Sequence, residues 1–498
     1  MTPEELDLTQ VQTQPLISEQ LQQSKTQQGQ FDDIIPDTKE GNKAPEGRTT
    51  TVIKQQMRKK VMKVISPLGK NLSHQKWYHG FMTREEASLL CYNEGEWLVR
   101  RAQSRYNGEI YCITVKSKGR THHIPLVRTE HLTYFVIQDF YCTEPTTLVQ
   151  YCYEFAVPLN GAGVILGNYI PRQDWSVRAE QLKLGKNLGC GAFGDVMAGE
   201  LRMWDGKHKV AIKRLKEEKT MPADTKLILL REASNMRGLS HPHILKFYGV
   251  HTINEPIMII MELADEQNLL QKLKDETSPP TSQEQERYVW EIIDGMAYLE
   301  SKCVSHTISS IINKSFFQII HKDLAARNCL LSDNSIKISD FGLSVVCVDN
   351  RGQKVTNNGK VPTRWRAPET FYIPAFYSNK SDVWSFGVVV YEIYSFGRKP
   401  YNHVKTAHEI RVGVRNHTLL LTVAEGTPDY IAEMQTRCMA FVKDQRPDFA
   451  DLWNEVKQKM PLSRFSIWNK LKKFLVKKNQ VIQIPAPTST ISLVQNPA

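Results

Sequence analysis

Hydrophobic and polar positions divide the chain into successive textures. From Met1 to about Gln75, Gln, Lys, Thr and Ser dominate and aromatic residues are few, which predicts a disordered stretch unable to bury enough apolar surface. From Trp77 to about Asn160, short alternating runs such as EWLVRRA and EIYCITVKS, separated by YNGE and SKGR turns and flanked by helical stretches, predict a small α+β unit. After the linker GAGVILGNYIPRQDWS, a strand-rich segment (Leu182 to Met261) gives way to a long helix-rich one (Leu269 to Met460). That order predicts two lobes with a cleft between them. The expected divisions are 1–75, 76–160, a linker 161–181, 182–460 and a basic tail 461–498, with no internal repeat.

Composition narrows the picture less than pattern does. The 498 residues, 41 % hydrophobic and 23 % charged, are ordinary for soluble globular protein of two or three domains. Lys and Arg number 64 against 53 Asp and Glu, and the formal charge of +11 favours phosphates, acidic lipids or nucleic acid without choosing among them. Because the basic surplus lies mostly in the two ends and lacks interleaved aromatics, no nucleic-acid partner is expected. Nine cysteines without CxxC spacing indicate neither a disulfide framework nor a zinc site. The opening MTPEELDLTQ supports neither secretion nor myristoylation, and no apolar run approaches the ~20 residues of a membrane span. A cytoplasmic protein is expected.

The set WYHG (Trp77–Gly80), Arg84, EWLVRRA (Glu96–Ala102) and THHI (Thr121–Ile124) resembles a Src-homology-2 (SH2) domain over its whole length. The resemblance implies a central antiparallel sheet flanked by two helices, and phosphotyrosine bound by Arg100 from the central strand, Arg84 from the first helix and His122 from strand D. A planar guanidinium grips two phosphate oxygens at once, which a Lys cannot copy. A lone Arg on a strand is more often in a surface ion pair; this one sits within an apolar WLV run. Ala102 stands where the family usually has a Ser, removing one hydroxyl donor.

Further on, LGCGAFGDV (Leu188–Val196) places Gly189, Gly191 and Gly194 in a GxGxFG loop, a weak signal alone. VAIK at Val210–Lys213, Glu232 in LREASNM, HKDLAARN, DFG at Asp340–Gly342 and APE at Ala367–Glu369 follow in order. Over 182–460 this set resembles the protein kinase family and implies its bilobed fold, with ATP and Mg²⁺ as cofactors. Phosphoryl transfer needs positioning and charge neutralisation more than covalent help. The resemblance gives Lys213 the α- and β-phosphates, Glu232 the task of holding Lys213, Asp340 and Asn328 the metal, and Asp323 the acceptor hydroxyl. Leu188, Val196, Ala211, the gatekeeper Met261, and the hinge residues Glu262 and Leu263 complete the ATP site. A single Asp or Lys is usually a solvated charge; the joint pattern is not explained that way.

DLAARN, with Arg327, and VPTRW (Val361–Trp365) resemble the tyrosine branch, and together with the SH2 domain and the Trp175 linker they resemble the Fes/Fer non-receptor tyrosine kinases, with no room for their long N-terminal membrane-bending domain. The expected function is ATP-dependent phosphorylation of tyrosine in protein substrates, recruited or activated by tyrosine-phosphorylated proteins; the alternative is a catalytically impaired phosphotyrosine-binding scaffold. No Tyr lies between Asp340 and Glu369, and Lys322 replaces the HRD Arg, so control by SH2 docking is expected in place of loop tyrosine phosphorylation; Ser344 and Thr356 are the hydroxyls left nearby.

Smaller features complete the reading. Cys190 is an inert loop thiol or a redox-sensitive one. Lys54–Lys70 is a solvated linker or a contact segment. The tail SIWNKLKKFLVKK (Ser466–Lys478) puts Ile467, Leu471, Phe474 and Leu475 on one helical face, suited to an anionic membrane at the inner face of the plasma membrane or to packing on the kinase. Val304–Gln318 interrupts the family spacing: its removal leaves AYLESKCIIHKDLAARN, and its ends can be encoded as intron borders, so it reads as a translated short intron or a genuine surface loop.

Overall fold

The computed structural model describes residues 63–64, 71–104, 108–128, 135–137, 140–190, 194–215, 224–301, 318–347, 352–355 and 361–459. Strand β1 (Lys63–Val64) is followed by β2 (Tyr78–Phe81), helix α1 (Arg84–Leu90), β3 (Trp97–Ser104), β4 (Gly108–Ser117), β5 (Arg120–Pro125), β6 (Val127–Arg128), β7 (Phe135–Ile137), β8 (Phe140–Cys142) and α2 (Pro145–Glu154). Strands β2 to β5 form one sheet in sequence order, and β1, β8, β7 and β6 form a second. Pairing in the first sheet is antiparallel except that β2 joins β3 in parallel. Thr83 and Glu86 close a reciprocal cap on α1, satisfying N–H groups the first turn leaves open. Trp97, Val99, Ile113 and Val115 pack with Leu148 and Cys152 of α2 as the core of this module.

The stretch expected to be disordered carries structure at its end. Lys63 lies opposite Phe140 and Val64 opposite Tyr141 in a parallel pair, and Leu72–His74 form a short turn capped by Asn71. Composition does not foretell this, because an open sheet edge offers backbone hydrogen bonds to any extended chain beside it.

The second module starts with a five-stranded sheet, ordered β12-β13-β11-β10-β9, made from β9 (Leu182–Cys190), β10 (Gly194–Met203), β11 (Gly206–Leu215), β12 (Phe247–His251) and β13 (Met258–Glu262), with α3 (Asp224–Met236) between β11 and β12. Then come α4 (Leu269–Leu273), α5 (Ser282–Ser301), five short strands β14 (Gln318–Ile320), β15 (Cys329–Ser332), β16 (Ser335–Ile338), β17 (Val345–Cys347) and β18 (Gln353–Val355), β19 (Ala375–Tyr377), and helices α6 (Asn379–Tyr394), α7 (Ala407–Arg415), α8 (Asp429–Cys438) and α9 (Phe449–Lys459). The strand-rich and helix-rich halves match the order read from the pattern. Helix α6, rich in Val and aromatics on all sides, is buried along nearly its whole length; a Cβ on its Gly387 would sit 2.5 Å from Met439 Cγ, so only Gly permits that approach to the end of α8.

The two modules are joined through their cores. Phe81 of β2 belongs to the cluster that holds Leu229 and Leu230 of α3, and Ile253, beyond β12, belongs to the first module's core. Phe81 N–H donates to Thr252 O at 2.8 Å, and Thr252 Oγ1 donates to His79 O at 3.0 Å. Gly80 makes this possible: its φ is +70° and a Cβ there would lie 2.2 Å from Thr252 O. Among the described residues no helix is long and apolar enough to cross a membrane.

Candidate active site

The cleft is furnished by both lobes. On β11, Lys213 points at Glu232 of α3: its Nζ donates to Oε1 at 2.9 Å and Oε2 at 2.7 Å. Burial weighs against the Lys213 charge, but Glu232 and then Asp340 outweigh it and hold the ammonium above its ordinary pKa. Lys213 lies opposite Val196 of β10, and Ala211 opposite Met261 of β13, so strand register alone brings these four to one patch of sheet. Gly194 is required at the end of the glycine loop, since a Cβ would come within 1.9 Å of Arg214 O. Gly189 meets nothing within 4 Å, Leu188 is exposed, and Gly191 lies outside the described residues. Glu262, next to half-buried Leu263, is braced by Lys337 Nζ at 3.1 Å and by Lys246 N–H at 3.1 Å.

The second lobe supplies the acids. Asp323 follows β14 and is buried; burial raises its carboxyl above the usual range, against the pull of Arg327, His321 and Asn328. Arg327 pairs with Asp323 Oδ1 and stacks over Trp365 with its guanidinium 4.5 Å from the ring centre. Asn328 Nδ2 donates to Asp323 O at 2.7 Å and Oδ2 at 2.9 Å, which leaves the amide oxygen turned to other use. Asp340 adopts a left-handed backbone, φ 62° and ψ 70°, and the next residue, Phe341, is buried against His321 at 5.1 Å. Asn235 of α3 donates to Ser344 O at 2.8 Å, tying the Glu232 helix to the segment after Asp340.

Two buried carboxylates support these groups and were not singled out from sequence. Asp382 of α6 accepts from His321 N–H at 2.7 Å and Lys322 N–H at 2.9 Å. Glu392 Oε2 accepts from Ala326 N–H at 3.0 Å and Trp365 Nε1 at 2.9 Å, joining the Asp323 loop to the segment carrying VPTRW. A charged residue inside the otherwise apolar α6 pattern was the available signal. Ser344 proves a poor candidate for phosphorylation: it is 1 % exposed and its hydroxyl donates to His321 O. Thr356, the Ser466–Lys478 tail and Val304 to Phe317 lie outside the described residues.

In the first module, Arg100 is buried and donates through Nη1 to Met82 O at 3.0 Å and through Nε to Thr114 Oγ1 at 3.2 Å. The expectation for His122 is corrected by one position. His123 is the register partner of Thr114; its Nδ1 lies 3.0 Å from Thr114 Oγ1 and its Nε2 3.3 Å from Ser88 Oγ. His122 Nε2 lies 3.3 Å from Ser117 O. Successive residues of a strand face opposite sides, so only one of the pair can share a face with Arg100. Burial, then Arg84 and Arg100, lower the His123 pKa to about 3. These guanidinium groups and the neutral imidazole make a basic pocket suited to a phosphate dianion.

Residues 182–456 match the family model described as protein tyrosine and serine/threonine kinase, and residues 77–152 match the SH2 domain. The chain belongs to the protein tyrosine and serine/threonine kinase family. This SH2-containing kinase is 32 % identical to Spermatocyte protein spe-8 of Caenorhabditis elegans over 76 % of its own length and 70 % of the relative. It is 32 % identical to Tyrosine-protein kinase Fer of Homo sapiens over 79 % of its length but 45 % of Fer, and 32 % identical to the transforming protein Fps of Avian sarcoma virus (strain PRCII) over 78 % and 68 %. The kinase is thus homologous to Fer and Fps tyrosine kinases through an SH2 domain followed by a tyrosine kinase domain.

Proposed function

We propose that the chain is an active non-receptor protein-tyrosine kinase that transfers the ATP γ-phosphate to tyrosine in protein substrates, and that phosphotyrosine docking on its SH2 domain recruits and favours the active form. The observation that carries the reading is the closed Lys213–Glu232 pair, 2.7 Å apart, in a chain that also keeps Asp323, Asn328 and Asp340. An inactive scaffold has no need of a charge pair buried at such cost.

The donor set fits Mg²⁺. Asp340 offers a carboxylate and Asn328 a free amide oxygen, hard oxygen ligands of the kind Mg²⁺ takes alongside substrate phosphates. Bound Mg²⁺ would neutralise charge on the phosphates. Lys213 holds the α- and β-phosphates, kept cationic by Glu232 and Asp340. Leu188, Gly189, Gly191, Gly194, Val196, Ala211, Met261 and the backbone of Glu262 and Leu263 form the nucleotide site. Asp323, oriented by Asn328 and Arg327, accepts the proton of the substrate phenol. Arg100, Arg84 and His123 hold the phosphotyrosine. As proposed from the tail's amphipathic face, anionic membrane is a further partner, and loss of co-sedimentation with phosphatidylserine liposomes on removing residues 461–498 tests it.

Support for coupling comes from α3, which carries Glu232. Lys226 of α3 pairs with Glu255 at 2.9 Å and with Glu109 of the SH2 domain, while Arg101 reaches Glu255 at 2.9 Å and Glu109 at 3.2 Å. Just past α3, Arg237 pairs with SH2 Glu86 at 3.2 Å and lies 3.6 Å over the Trp175 ring. The deciding experiment is transfer of labelled γ-phosphate to poly-Glu-Tyr peptide. Asp323→Asn is expected to lower the rate by about 10²–10⁴-fold, the usual share of a positioned base. No transfer by the unaltered chain would favour the scaffold reading.

A further inference from the structure

With no tyrosine between Asp340 and Glu369, the kinase must find any acceptor phenol of its own elsewhere. Among the described residues, the exposed tyrosines are Tyr92 at 53 % and Tyr372 at 54 %. Tyr372 lies just past the APE sequence in a short loop anchored at both ends. Upstream, Glu369 makes a two-point ion pair with Arg446, Oε1 to Nη1 at 2.8 Å and Oε2 to Nη2 at 2.9 Å, and Phe371 packs into the core beneath the Arg366 guanidinium, 4.4 Å from its ring centre. Downstream, Ala375 is fully buried and opens β19, which pairs with β18.

Between these anchors Tyr372, Ile373 and Pro374 stand in solvent. Ile373 is 89 % exposed, and Tyr372 has an extended backbone, φ −83° and ψ 168°. A solvent-facing phenol on extended chain is presented as a docking peptide presents its side chains, open to a partner's surface. Tyr92 differs: its backbone N–H and that of Asn93 are both bound by Glu96 Oε2, at 2.9 and 2.8 Å.

We propose that Tyr372 is an autophosphorylation site, modified by a second copy of the chain; the proposal rests on the reading of the chain as an active tyrosine kinase. Three residues between anchors span at most about 10 Å, too little slack for the loop to enter its own cleft. Tyr372 Oη of one copy forms a bond to the γ-phosphorus of ATP held by the other. The bond from that phosphorus to the β-bridging oxygen breaks, ADP leaves with the electron pair, and the phenolic proton passes to Asp323 of the copy that holds the ATP.

The test uses full-length protein. A tagged Asp323→Asn copy is incubated with untagged wild type, ATP and Mg²⁺, and its phosphopeptides are read by mass spectrometry, with poly-Glu-Tyr labelled in a parallel reaction. Phosphate on the Tyr372 peptide of the tagged copy, formed faster as wild type is raised, is the expected result. Tyr372→Phe in the tagged copy removes that phosphopeptide, and Tyr372→Phe in the active copy leaves poly-Glu-Tyr labelling unchanged. Labelled poly-Glu-Tyr with Tyr372 unmodified overturns the proposal alone, as does phosphate confined to Tyr92 or other tyrosines. If neither is labelled, the activity reading fails and this proposal falls with it.

Discussion

Glu392 shows how much one buried carboxylate can organise. A single oxygen accepts from the Asp323 loop and from the Trp365 indole, whose ring carries the Arg327 guanidinium. Glu392→Ala leaves the buried Ala326 N–H and the half-buried Trp365 indole without their acceptor, at about 1–3 kcal/mol for the buried donor, and is expected to lower both thermal stability and transfer to peptide; calorimetry beside the poly-Glu-Tyr assay checks it. At the proposed phosphotyrosine pocket, Arg100→Lys keeps charge but loses the planar fork. Affinity for a phosphotyrosine peptide is expected to fall by about 1–3 kcal/mol in titration calorimetry, while His122→Ala, on the other face of its strand, changes it little. A sizeable loss with His122→Ala would reinstate the residue that the SH2 resemblance implies.

At the level of elements, the motif residues were legible because phosphoryl transfer fixes both residue type and order along the chain, and strand register then gathers Val196, Lys213, Ala211 and Met261. The strand-then-helix order gave the two lobes for a similar reason: periodicity is local. The misses lie where one position of register decides, as with His122 and His123, or where the partner is distant in sequence, as with Asp382, Glu392 and the strand at Lys63–Val64. Gly80 belongs to that second group, for nothing in WYHG tells that a carbonyl from residue 252 will approach it. Gly80→Val introduces a side chain against backbone and strains a positive φ. It is expected to part β2 from the Thr252 turn and reduce peptide phosphorylation while phosphotyrosine binding persists. Equal loss of both activities would show instead that the SH2 fold itself had failed.

For the whole molecule, two buried histidines weaken the fold in acid, opposed by the buried Asp382 carboxyl, which burial raises to about 7. Burial lowers the pKa of His79 to about 4 and of His243 to about 4. An unfolded imidazole takes its proton near the ordinary 6.5, so between 6.5 and about 4 the unfolded chain binds more protons than the folded one. The histidine contribution to stability is therefore fully present above 6.5 and is lost as pH falls through this window, by up to about 3 kcal/mol for each histidine. From pH 7 to pH 4.5 the urea midpoint of His243→Gln should gain on that of the unaltered chain; parallel pH profiles of the two would contradict it.

Phe81 and Ile253 are lodged in each other's module, each a core residue of the domain it does not belong to by sequence. Cutting the chain in the linker therefore uncovers a hydrophobic socket and a protruding plug on each piece. Expressed apart, the two pieces should be sticky and poorly behaved; expressed together, they should find one another again. Heated as one chain, they should come undone in a single cooperative event.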